Sequence, residues 1–159
     1  MTPQLRAGYF ALPSVPDRNT PPPVDEPRGM EGKQGPPRVL VVEDDFLIAM
    51  QTEIALTAAG FEVLGPATTA EEAVALAGET HPTLAVMDIR LASTRDGIDA
   101  ARQLYQDFAI RCIFATAHDD AHTRGRAEPY APLGWLPKPY TMASLVAVVA
   151  EAVAELRQP

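Results

Sequence analysis

With 159 residues, 47% hydrophobic and 21% charged, the chain suits one domain with a buried core and is too short for two of ordinary size. No apolar run approaches the roughly 20 residues of a membrane span and the N-terminus lacks the charged-then-apolar pattern of a signal peptide, so the expectation is a cytoplasmic protein with no membrane partner. The net charge of −8 lies in residues 38–159, because residues 1–37 balance four basic against four acidic side chains; this excludes nucleic acid held by a broad electrostatic surface and favours a protein partner or a cation in a carboxylate cluster.

Residues 1–37 hold nine of the sixteen prolines and no apolar periodicity, which reads as a disordered tail. Met30 stands just before the ordered region and offers a second start site. Residues 38–42, Arg-Val-Leu-Val-Val, are a continuous β-branched run, the pattern of a strand buried on both faces. The run ends in Glu43-Asp44-Asp45. Residues 46–59 then carry apolar side chains at helical spacing (Leu47, Ile48, Ile54, Ala55, Ala58), and Gly60 closes the helix. A second short strand over 61–64 precedes Gly65-Pro66. Thr69-Ala70-Glu71-Glu72 is a capping box that opens a helix to about Gly78.

Residues 83–87 form the third strand and deliver Asp88. A loop over 89–95 leads to a helix from Gly97 to about Asp107, and 110–115 is a fourth apolar strand ending in Thr116. Cys112 lies within it as the only cysteine, which rules out an intrachain disulfide and a thiolate metal cluster and reads as a small buried hydrophobe. Residues 119–128 are a short polar helix stopped by Pro129 and Pro132. Residues 133–136 are a brief fifth strand followed by Pro137-Lys138-Pro139. Thr141 caps a last helix whose Leu145, Val148, Val149, Ala152, Val153 and Leu156 keep the spacing of a core-packed face.

Five rounds of strand then helix require parallel strands with right-handed crossovers and helices on both faces. The expected fold is α/β, a doubly wound five-stranded parallel sheet of order 2-1-3-4-5, with ligands at the carboxyl ends of the strands. The residues that end the strands are Glu43-Asp44-Asp45, Asp88, Thr116 and Lys138, the only lysine in 38–159. That topology gathers them on one rim. Several carboxylates together are costly without a cation, and oxygen ligands suit Mg2+. A hydroxyl and an ammonium beside them are what a phosphoryl group needs, which makes Asp88 a nucleophile toward phosphorus.

The motifs Val-Leu-Val-Val-Glu-Asp-Asp, Val-Met-Asp-Ile-Arg-Leu, Phe-Ala-Thr-Ala and Leu-Pro-Lys-Pro-Tyr resemble the receiver domain of bacterial two-component response regulators, over residues 38–157. In detail the chain is similar to single-domain regulators of alphaproteobacterial type. The resemblance implies that Asp88 is the phosphoacceptor and that Glu43 and Asp44 form the acidic pocket. Asp44, Asp88 and the backbone carbonyl of Arg90 would contact the magnesium. Thr116 would contact the phosphoryl group and shift toward it, and Lys138 would pair with it. Lys138-Pro139 would be a cis peptide, and Trp135 would occupy the aromatic switch position. The phosphodonor would be a histidine kinase or histidine phosphotransfer protein. With no output domain expected after the last helix, signalling would pass to an unknown downstream protein or end in a phosphate sink.

Three departures stand against that pattern. The loop after Asp88 lacks a proline, His118 lies two residues past Thr116, and Glu128-Pro129-Tyr130-Ala131-Pro132 replaces the usual helix end. The last alters the face of the fourth helix and fifth strand, so an atypical output surface is expected. Two other functions remain beside the phosphorylation switch. A phosphate-independent interaction module on the same fold would leave the Asp, Thr and Lys set unused. An Asp-nucleophile phosphohydrolase would want a second acid two residues after the nucleophile, where this chain has Arg90.

Overall fold

The protein is described by a computed structural model over residues 34–159; the greater part of the expected tail, and Met30 with it, lie outside the described residues. Strands β1 (Arg38–Val42), β2 (Glu62–Ala67), β3 (Leu84–Asp88), β4 (Cys112–Thr116) and β5 (Gly134–Pro137) form one parallel sheet in the order β2-β1-β3-β4-β5. This is the expected doubly wound order. The helices are α1 (Phe46–Ala58), α2 (Ala70–Thr80), α3 (Gly97–Phe108), α4 (Ala121–Ala127) and α5 (Met142–Leu156).

The continuous apolar strands are explained by a core on each face of the sheet. Leu40, Val42, Ala85, Met87 and Phe114 point to the side of α2 and α3. Their strand neighbours Val39, Val41, Leu84, Val86, Ile113 and Ala115 point to the side of α1 and α5. The period-2 alternation of a strand thus divides one hydrophobic run between two cores.

Caps place the helices. The Asp45 carboxylate accepts the Leu47 and Ile48 N–H groups at 2.9 and 3.1 Å and starts α1. The helix ends on Gly60 at φ +93, with the Gly60 N–H on the Thr57 carbonyl and the Phe61 N–H on the Leu56 carbonyl, the paired bonds of a Schellman motif. At α3, Asp96 and Asp99 each accept the other's N–H, closing a reciprocal capping box. A Cβ at Gly97 would overlap the Asp88 carbonyl, so glycine is what lets α3 start against the end of β3.

Several boundaries differ from the expected ones, each for a physical reason. β2 continues through the cis Gly65–Pro66 bond to Ala67, three residues past the expected end at Leu64, where the Gly-Pro pair reads as a stop. It is an edge strand, where the missing proline N–H removes no ladder bond, and its register against β1 shifts between Leu40 and Val42. The buried positions of α1 are Ala49, Thr52 and Leu56, whereas Leu47 and Ile54 are 61% and 62% exposed. Of the larger apolar side chains of α1, Leu56 is buried, whereas Phe46, Leu47, Met50 and Ile54 face outward. The fourth helix is shorter than 119–128: Asp120 caps it, α4 spans Ala121–Ala127, and a 3-10 turn over Glu128–Tyr130 carries Pro129 in its first turn. Tyr130 of that turn packs beside Tyr105 of α3, centroids 6.3 Å apart. Among the described residues no helix is long and apolar enough to cross a membrane.

Two glycine substitutions separate close approach from simple propensity. Gly97→Ala forces overlap with the Asp88 backbone and is expected to destabilise by about 1–3 kcal/mol. Gly125→Ala in α4 meets no atom within 4 Å and is expected to stabilise by up to ~1 kcal/mol. Urea denaturation of the two variants checks both signs.

Candidate functional site

The sheet brings the chemistry-bearing residues to its carboxyl rim. β1 delivers Glu43, buried, and Asp44, exposed; β3 delivers Asp88, buried; β4 delivers Thr116, buried. Lys138 follows β5 directly. Glu43, Asp44 and Asp88 each place a carboxylate oxygen within 4.8 Å of the others. The Lys138 Nζ lies 3.1 Å from Asp88 Oδ2 and 3.7 Å from Glu43 Oε2. The second Asp88 oxygen accepts the Arg90 N–H at 3.2 Å, and Glu43 Oε1 accepts the Asp45 N–H at 3.0 Å. The Arg90 residue is exposed and lines the cleft beside the carboxylates.

Burial pushes the Glu43 carboxyl up to about 7; the Asp45 N–H and the Lys138 ammonium oppose this, and the Asp88 charge adds to it. For Lys138, burial works against the ammonium, but Asp88 and Glu43 outweigh it and the net shift is upward. One ammonium therefore meets two of the three clustered carboxylates, and Asp44 is left without it. An oxygen-only donor set with surplus negative charge, and with Asp44 open to solvent, fits a hard divalent cation that keeps some of its waters.

Thr116 is held by its own loop: its Oγ1 accepts the His118 N–H at 3.0 Å, and its carbonyl accepts the Lys138 N–H at 2.9 Å. Lys138–Pro139 is cis, as expected. Thr116, His118 and Arg90, with Ser93, Thr94 and Asp96, line a cleft of about 610 Å³ between the loops after β3 and β4. A second, more apolar cavity of about 410 Å³ lies across Lys138, lined by Ile48, Pro139, Tyr140 and Met142. Cys112 is buried away from the rim, and burial pushes its thiol up to about 12.

Trp135 stands opposite Phe114 in the β4–β5 register, and the rings stack with centroids 5.0 Å apart at 28°. The Arg124 guanidinium lies over the Trp135 ring, 4.9 Å from its centre. Arg124 also grips Asp119 through both Nε and Nη2. Arg126 reaches Asp96 at 2.7 Å and Asp99 at 3.8 Å, tying α4 to the start of α3. These arginine contacts were invisible in the sequence, where residues 119–128 read only as a short polar helix. A pair five residues apart matches neither helical neighbour spacing, and Arg126–Asp96 spans 30 residues.

The family model for the response regulator receiver domain matches residues 39–150. Among curated proteins, the chain is 33% identical over 123 residues to the transcriptional regulatory protein PdtaR of Mycobacterium tuberculosis, covering 77% of this chain and 60% of that one. It is 36% identical over 116 residues to the phyllosphere-induced regulator PhyR of Methylorubrum extorquens, covering 72% and 43%. The chain thus spans less than two thirds of either relative. Among solved structures, the signal receiver domain of a modulated diguanylate cyclase from Desulfovibrio desulfuricans G20 superposes with a TM-score of 0.70 at 34% identity, covering 77% of this chain and 97% of that one.

Asp96, at the edge of the cleft, offers a pH test. Burial raises its pKa, but the Arg126 guanidinium and the Asp99 and Ile98 N–H groups outweigh that, and the carboxyl sits below the usual range. A depressed folded value contributes stability that is complete above the unfolded pKa of about 3.9 and is lost as pH falls through the folded value. Asp96→Ala is expected to cost about 1 kcal/mol at neutral pH. The gap to the parent protein should narrow below about pH 4 in urea titrations.

Proposed function

The chain belongs to the response regulator receiver domain family, and on that premise we propose that Asp88 accepts a phosphoryl group from a histidine kinase or histidine phosphotransfer protein. Receiver domains serve phosphorylation-dependent signalling; the donor, the acceptor residue and the output are the parts proposed here. The observation that carries the reading is the state of Asp88: a carboxylate at the end of a buried strand, with an ammonium 3.1 Å from one oxygen.

In the transfer, an Asp88 oxygen attacks phosphorus, the P–O bond forms, and the N–P bond to the donor imidazole breaks with its electron pair leaving on nitrogen. Lys138 pairs with the phosphoryl oxygens as they draw near, and the Thr116 hydroxyl donates to one of them. Glu43, Asp44, Asp88 and the Arg90 carbonyl would hold Mg2+, which neutralises charge on the carboxylates and the transferring group. The protein acts as a phosphoacceptor switch in the cytoplasm, with a receiver unit over 38–157. Phosphorylation draws Thr116 inward and repositions Trp135, and output passes through protein contacts or through competition for phosphate.

Acetyl phosphate with Mg2+ tests the reading. Intact mass should show a gain of one phosphoryl group, lost in Asp88→Asn, with a change in Trp135 fluorescence. No adduct would sink the proposal, and turnover of many phosphomonoesters would replace it with a hydrolase. Magnesium alone should raise the unfolding midpoint; at a tenfold excess over its dissociation constant the gain is about 1.4 kcal/mol. Asp44→Asn should reduce that gain, as followed by thermal denaturation at stepped Mg2+ concentrations.

A further inference from the structure

α4 is anchored differently from the other helices. Ala127 is its one buried residue, whereas α3 buries five and α5 four. Apolar packing therefore does little to fix α4, and its two arginines supply the directional contacts. Arg126 reaches the Asp96 and Asp99 carboxylates at the start of α3. Arg124 does something else: it joins a loop to an aromatic ring.

The geometry is contiguous. Thr116 Oγ1 accepts the His118 N–H, and Asp119 is the next residue. Both Asp119 oxygens accept from Arg124, whose Nη2 stands 2.6 Å from Oδ2. A two-pronged bond to a planar guanidinium fixes its orientation as well as its position. That plane lies over the Trp135 ring, which stacks on Phe114 in the core. A cation over an indole face is the favourable partner for that ring. The Asp119 carboxyl is held below the usual carboxylate range by the same bond.

We propose that Arg124 is a positioning residue that holds the Trp135 ring against Phe114 and links it, through Asp119, to the loop beginning at Thr116. When Thr116 moves toward Asp88, His118 and Asp119 travel with it, the guanidinium is drawn off the ring, and Trp135 is released. The hold is a property of the resting protein; only its release rests on the phosphorylation reading given above.

Trp135 is the only tryptophan in the chain, so it reports on itself. In the full chain without phosphodonor, Arg124→Gln is expected to red-shift Trp135 emission and raise its acrylamide quenching constant about twofold. Asp119→Asn should move both quantities the same way. Arg124→Lys should fall between, because an ammonium keeps the charge over the ring but loses the fork. With acetyl phosphate and Mg2+, the parent protein should shift toward the resting Arg124→Gln signal. Arg124→Gln, taking up the phosphoryl group to the same extent by mass, should show a much smaller further change. Resting emission and quenching equal to the parent in both Arg124→Gln and Asp119→Asn overturn the hold. A full-sized phosphorylation response in Arg124→Gln overturns the link to the loop. If the parent takes up no phosphoryl group, the reading of Asp88 fails, and the resting comparison still decides the role of Arg124. Far-UV circular dichroism and urea midpoints separate release of the ring from melting of α4; if Arg124→Gln melts the helix, Asp119→Asn decides alone.

Discussion

The Lys138–Asp88 contact, 3.1 Å long, joins the ends of β5 and β3 across the intervening β4. It is the main direct offset to three carboxylates crowded at one rim. The same ammonium also reaches Glu43 at the end of β1, so a single side chain spans the sheet from one outer strand toward the other. Such an ion pair is costly to assemble because each charge loses water, and it persists because the surplus of negative charge leaves the ammonium no better partner. Glu43 shows the strain: burial and the neighbouring Asp88 charge leave its carboxyl with a pKa near 7. The site is therefore poised for added positive charge and for a group that gives Lys138 new oxygen partners.

The backbone that presents these groups is well anchored. Every residue of β3 and of β4 is buried, and the strands pair in register from Ala85 with Cys112 to Asp88 with Ala115. Gly97 brings the start of α3 against the Asp88 carbonyl, and its N–H reaches the Ile89 carbonyl at 2.7 Å. The loop after β3 is closed at its far end by the Asp96–Asp99 box. Rigidity on this side is what keeps Asp88 aimed at the rim while its partners change.

Much of this was legible in the sequence because parallel strands announce themselves twice. Their interiors are apolar without interruption, and their carboxyl ends turn polar where the candidate site sits. Glu43, Asp88, Thr116 and Lys138 could be aligned on one rim from those endings alone, and the Thr141 cap followed from residue type. α1 misled because most of its large apolar side chains lie off its buried face: Leu56 meets the core together with small Ala49 and polar Thr52, while Phe46 is 74% exposed. Periodicity finds a helix without saying which side is covered. β2 misled because a Gly-Pro pair breaks a central strand but not an edge strand. Arg124 was invisible because its meaning lies in a contact between a short helix, a loop and a ring on another strand.

That contrast between anchored and lightly anchored elements gives the site a direction. On the proposed phosphorylation, a charge added at Asp88 would act first on what Asp88 touches, Lys138, and on the nearby hydroxyl of Thr116. β4 beneath Thr116 is buried throughout and resists displacement as a unit. The loop that follows it is exposed from His118 through Ala121 and closes onto a helix with one buried residue. Exposed ion pairs hold that helix, and such pairs are individually weak and screened by salt. Motion begun at the rim thus meets least resistance through Asp119 and α4. The 3-10 turn after α4 is fastened at its far end, where Arg111 donates to the Ala131 carbonyl at 2.6 Å and pairs with Glu155 of α5 at 3.0 Å. On the proposed reading, the displacement would be confined between these two fixed ends, and the surface it would change is that of α4 and the exposed edge of Trp135.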